Sequence, residues 1–294
     1  MSEIRARSRW HTVIINLMFV LLAGSYFIWT VVNHQRIGSL LANTFNINDP
    51  ASYNRIFLQF GILFLVGYLT ATIPFYIRSK RYQALGYLLL TMLLVAGCVP
   101  WLIVVNSEMI HFAQYALLGV LLFPLIRSYW LTVVVGTLLG AVDEGMQYWV
   151  WTPDMHYFDF NDVLFNLLGT VLGVLLIGAW TGHTSSGRPY LRIGWAIIGS
   201  VVLMVVIGWL THLLDIFPNP DHPAPVQLIR EAETSFWTVL PPHRQFHVLR
   251  PGPGTAVLLI LLVLFMGLDR AIFYGTNQKE PASTSFKNLI TPSK

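Results

Sequence analysis

Charge is what this 294-residue chain has least of. Lys, Arg, Asp and Glu together make up 11% of it, against about 25% in an average soluble domain. With 55% of the residues hydrophobic, too few polar groups remain to cover a water-soluble globule, so the apolar residues must face lipid. Cysteine is nearly missing as well. Cys98 stands alone, which excludes an intrachain disulfide and makes it a small hydrophobe in an apolar segment. Also lacking are a repeat of fixed period and any H-E-x-x-H pattern of a zinc protease.

What is present is a series of apolar runs. A helix rises about 1.5 Å per residue and satisfies its own backbone, so about 20 apolar residues cross the hydrocarbon. Eight segments qualify: Thr12–Val32, Ile56–Ile77, Ala84–Val105, Ile110–Ile126, Trp130–Trp149, Val163–Trp180, Ile193–Leu213 and Thr255–Tyr274. The fourth is short and carries Pro124. The first follows Arg5, Arg7 and Arg9 but is too long for a signal h-region and lacks a small-residue cleavage site, so it reads as a retained anchor. The expected fold is all-α: a polytopic bundle of about eight transmembrane helices.

Lys and Arg set the orientation, because positive loops stay in the cytoplasm. With both termini cytoplasmic, 13 of the 18 fall inside and five outside: Arg36, Arg55, Arg230, Arg244 and Arg250. The net charge of +4 is therefore a topology signal, and no nucleic-acid partner is expected. The expected location is the inner (cytoplasmic) membrane, with the lipid bilayer as partner.

The chain divides into three N-terminal helices (1–105), a core of three (106–182), two C-terminal helices with a long external loop at 214–254 (183–274), and a cytoplasmic tail (275–294) of disordered composition. Asn33–Arg55 reads as a polar external loop. Within the long loop, between proline clusters, Val226–Leu240 reads as a short amphipathic helix with Phe236 and Trp237 for the interface. His222, His243 and His247 are minor candidates for a site.

Six of the 14 acidic residues fall in one stretch: Glu108, Asp143, Glu144, Asp154, Asp159 and Asp162. Ionisable groups in a membrane cost about 2.5–3.5 kcal/mol each on insertion scales, so they tend to face a bundle interior and carry function. Helical spacing puts His111 and Tyr115 on one face. Gly136, Gly140, Asp143 and Gln147 form a second stripe, with Glu144 beside it. Asp159, Asp162, Asn166, Gly169 and Gly173 form a third. Both glycine pairs are GxxxG patterns, which allow close approach of membrane helices, and the fifth and sixth helices are expected to touch through them. Threading in and out brings the polar ends of all three helices to the external side, where a shallow pocket is expected. Asp143 and Glu144 are adjacent, so one is expected in the pocket, preferably Asp143, and the other toward the loop. Asp162 with Asn166 could instead open the sixth helix as an N-cap. Tyr148, Trp149 and Trp151 read as interface anchors, and His212 and Asp215 could border the pocket.

His111-Phe112-x-x-Tyr115-x-x-Leu118, Asp143-Glu144-x-x-Gln147 and Asp159-x-x-Asp162-x-x-x-Asn166-x-x-Gly169-x-x-x-Gly173 together resemble the VanZ-like family, named for a teicoplanin-resistance protein. The likeness covers Ser107 to about Trp180. It departs from the family where Ser107-Glu108 stands for an acidic residue followed by Lys, and where His156 stands for Arg, which leaves the pocket more acidic than the family norm. The resemblance implies cell-envelope or glycopeptide-related biology, and the family's biochemical activity is unsettled. The expected function is thus a VanZ-like membrane protein whose acidic pocket binds a lipid-linked saccharide or a glycopeptide. Rival readings are a membrane enzyme working on a lipid head group through His and carboxylates, and a cation-coupled transporter, whose site would lie nearer the midplane. No cofactor is expected, and no tightly bound metal, because one His among carboxylates on three helices is a poor zinc set; a weakly held Mg²⁺ or Ca²⁺ could still visit the carboxylates.

Overall fold

Apolar runs with few breakers fold as helices, and most of these helices run beyond the stretch that hydropathy marks. The computed structural model describes residues 2–44, 50–103, 106–150, 158–181, 188–211, 214–215, 226–227, 237–240, 244–247, 249 and 251–273. The helices are α1 (Ser2–Thr44), α2 (Pro50–Arg78), α3 (Tyr82–Trp101), α4 (Ile110–Ile126), α5 (Tyr129–Val150), α6 (Phe160–Thr181), α7 (Arg188–Leu210), α8 (Pro251–Leu264) and the short α9 (Leu268–Phe273). A 3₁₀ turn, Asn106–Met109, leads directly into α4, and another, Phe265–Gly267, joins α8 to α9.

The expected polar loop Asn33–Arg55 is largely helical: α1 continues to Thr44 and α2 starts at Pro50, where proline's fixed φ suits the first turn. The expected amphipathic helix Val226–Leu240 is extended at both described ends. Val226–Gln227 (β2) pairs in parallel with Leu214–Asp215 (β1), and Trp237–Leu240 (β3) pairs antiparallel with Arg244–His247 (β4), Trp237 facing His247. Residues 228–236 between them lie outside the described residues, as does the tail 275–294. Pro124 leaves α4 intact to Ile126, where Arg127 in the left-handed region (φ 52°) closes it, its N–H donating to Phe123 O at 2.7 Å.

Among the described residues, six helical spans are long and apolar enough to cross a membrane: Val13–Asn33, Arg55–Arg78, Tyr82–Trp101, Asn106–Ile126, Phe160–Thr181 and Pro251–Ile272. The chain is a multi-pass membrane protein. The two other expected spans lie outside this set. The described apolar part of α7 stops at 17 residues, Gly194–Leu210, and α5 carries Asp143 and Glu144. Large apolar side chains stand exposed along α1, α2, α7 and α8, such as Leu21, Leu63, Met204 and Ile260, which is the pattern of lipid-facing helices.

The bundle is organised around α6, whose apolar span is 83% buried, against 11% for that of α1. It packs chiefly on α4 and α5, with α2, α3 and α8 around it. Side chains of α2 and its C-terminal turn grip its carbonyls: Tyr68 Oη donates to Leu172 O at 2.8 Å, Tyr76 Oη to Leu175 O at 2.5 Å, and Arg81 Nη1 to Gly178 O at 2.7 Å. The Arg81 charge also complements the negative C-terminal end of the α6 dipole. At the same end, Asp269 of α9 accepts from Ser128 Oγ (2.9 Å), Tyr129 N (2.8 Å) and Trp130 N (3.2 Å), satisfying the free N–H groups that open α5.

Candidate functional site: a buried His–carboxylate centre

The opposite end of α6 positions the site. Asp159 is its N-cap, accepting from Asn161 N at 2.8 Å. The alternative in which Asp162 caps the helix does not hold, since Asp162 sits inside the first turn of α6. Asn161 then pins this end in place. Its Nδ2 donates to Leu102 O at 3.1 Å after α3, and its Oδ1 accepts from Leu249 N at 2.9 Å before α8.

One turn separates Asp162 from Asn166, and together they present a polar face to α4. His111 Nδ1 lies 2.8 Å from Asn166 Oδ1, and His111 Nε2 lies 3.5 Å from Asp162 Oδ2. Tyr115, one turn beyond His111, donates to Asp143 Oδ2 of α5 at 2.9 Å. Ligand atoms of His111, Asp143 and Glu144 lie within 4.8 Å of one another. The carboxyls of Asp162, Asp143, Asp159 and Glu108 all act electrostatically on Glu144.

Glycine makes this approach possible. A Cβ on Gly140 would stand 2.8 Å from Asn166 Cβ, and one on Gly136 2.5 Å from the Thr170 side chain, so α5 touches α6 through its glycines as expected. The α6 glycines, however, face α4: a Cβ on Gly169 would meet Phe112 O at 2.8 Å and His111 O at 2.9 Å, and one on Gly173 would overlap Ala116 O. α6 is thus clamped between α4 and α5, with a different glycine pair serving each contact.

Of the expected site residues, the structure brings together His111, Tyr115, Asp143, Glu144, Asp159, Asp162 and Asn166. The side chains of Gln147, Tyr148, Trp149, Asp215 and His247 lie outside the described residues, as do Trp151, Asp154, His156, His212, His222 and His243. Two expectations are corrected. Asp143 and Glu144 do not divide between pocket and loop: each is 1% exposed, because α5 is flanked by helices on several sides. Nor is the centre a shallow depression, since His111 and Asn166 are 0% exposed and Asp159 and Asp162 are 8% exposed. Sequence reading missed Tyr26 of α1, whose hydroxyl donates to Gln114 O at 3.0 Å and which lies within electrostatic reach of Asp143. Its one signal was a polar hydroxyl within an apolar run. A separate cavity of about 280 Å³ is lined by Phe57, Phe60, Gly61, Phe64, Met109, Ile110 and Ala113, the last two on a face of α4 other than that of His111.

Fold and site together define a multi-pass helical membrane protein with a buried His–carboxylate centre. Comparison with protein-family models, curated proteins and solved structures finds no match.

Proposed function

We propose that this chain is a VanZ-like protein of the inner (cytoplasmic) membrane that binds an envelope ligand, a lipid-linked saccharide or a glycopeptide, at the centre formed by His111, Asp143, Glu144 and Asp162. The observation that carries the reading is the convergence of these four groups from three helices into the bundle interior, where ionisable side chains are costly unless they serve a purpose. In this reading eight helices span the membrane, both termini are cytoplasmic and the centre lies toward the external side, in line with the 13-to-5 division of Lys and Arg.

The test is native mass spectrometry of the protein purified from membranes, scoring co-purified lipids and glycans. His111→Gln, Asp143→Asn, Glu144→Gln and Asp162→Asn should accumulate normally and lose the bound species. Retention of the same species by all four variants would refute the assignment.

A further inference from the structure

We propose that His111, Asp143, Glu144 and Asp162 form a binding site for one divalent cation of the Mg²⁺/Mn²⁺ class. The proposal is independent of which envelope ligand the protein binds. It departs from the expectation of no tightly bound metal, which weighed residue types on three helices without their distances.

Distance comes first. His111 Nε2 lies 3.5 Å from Asp162 Oδ2. The separation is long for a hydrogen bond. It fits two ligands of one cation, which sit about 3 Å (cis) to about 5 Å (trans) apart for metal–ligand bonds of about 2.0–2.6 Å. The ligand atoms of His111, Asp143 and Glu144, within 4.8 Å of one another, obey the same limit.

The donor set gives a second argument. One imidazole with three carboxylates and no thiolate is a donor set for an oxygen-preferring ion. Asn166 holds the ring as outer-sphere partners of metal-bound histidines do. Its own Nδ2, wholly buried, has no acceptor among the described residues and is a donor ready for an oxygen carried by the ion, such as a bound water.

The experiment uses the full chain in nanodiscs, stripped with chelator and titrated with MnCl₂ under electron paramagnetic resonance. The aqueous Mn²⁺ signal should vanish until one ion per chain is bound, and pulsed spectra should show coupling to a histidine nitrogen. Excess Mg²⁺ should displace the ion. Asp143→Asn and Glu144→Gln should weaken binding at least tenfold, and His111→Gln should remove the nitrogen coupling. Failure of the wild type to retain Mn²⁺, retention without nitrogen coupling, or equal retention by both carboxylate variants would each overturn the proposal. The first two readings need no variant and so do not depend on variant folding. Co-purified lipids are scored separately, so loss of the metal site leaves the ligand-binding reading standing.

Discussion

The Tyr115 hydroxyl donates to Asp143 Oδ2 at 2.9 Å and so joins α4 to α5 one turn beyond His111. Both residues are buried, which means that neither can exchange its partner for water. The bond fixes one carboxylate oxygen and leaves the other for the centre.

Tyr115→Phe keeps the ring and deletes this donor. A hydrogen bond to a charged group is worth about 1.5–3 kcal/mol, and a buried acceptor left without its donor is costly. Thermal unfolding in detergent should show the variant destabilised by about that amount, with expression still measurable. An unchanged melting temperature would mean that the bond contributes nothing.

Gly173→Ala should sharply reduce folded protein, because the added methyl overlaps the Ala116 carbonyl on α4. Gly97→Ala, with nothing within 4 Å of the new methyl, should be neutral or stabilising by up to about 1 kcal/mol from helix propensity. Fluorescence-detected size-exclusion chromatography of tagged variants compares the two directly.

Asp269→Ala removes the acceptor for three donors at the start of α5. A lost helix cap costs about 0.5–2 kcal/mol. Asp269→Asn, which keeps one oxygen acceptor, should recover part of the loss in the same melting assay.

Reporter fusions after Arg81, Arg127 and Arg192 and at the C-terminus should report cytoplasm, and fusions within 216–250 the outside. A C-terminus reporting outside would remove one span from the eight-helix reading.

Much of the site was legible in the chain because helical spacing is rigid. His111 with Tyr115, and Asp162 with Asn166, share faces by arithmetic alone, and the structure joins both pairs across helices. What spacing does not encode is which neighbour a face meets. The Gly169/Gly173 pattern was expected to meet α5 and meets α4 instead, because GxxxG announces a close contact without naming its partner. Depth was hidden for a similar reason. Whether Glu144 is wet or buried depends on how many helices surround α5, and that is a property of the assembly. Helix ends in polar stretches were also poorly marked: Asn33–Thr44 is polar and still helical, since hydropathy reports lipid exposure and says little about where a helix continues into water.

The near-complete enclosure of α6 has a consequence for biosynthesis. His111, Asp143 and Glu144 leave the ribosome before Asn166, which orients the imidazole, and before Asp162, so a nascent chain halted after α5 would hold these ionisable groups without α6 to cover them. The centre can come into being only once residues up to Thr181 have entered the bilayer. Intermediates shorter than that should be recognisable to membrane quality control by the carboxylates they leave uncovered.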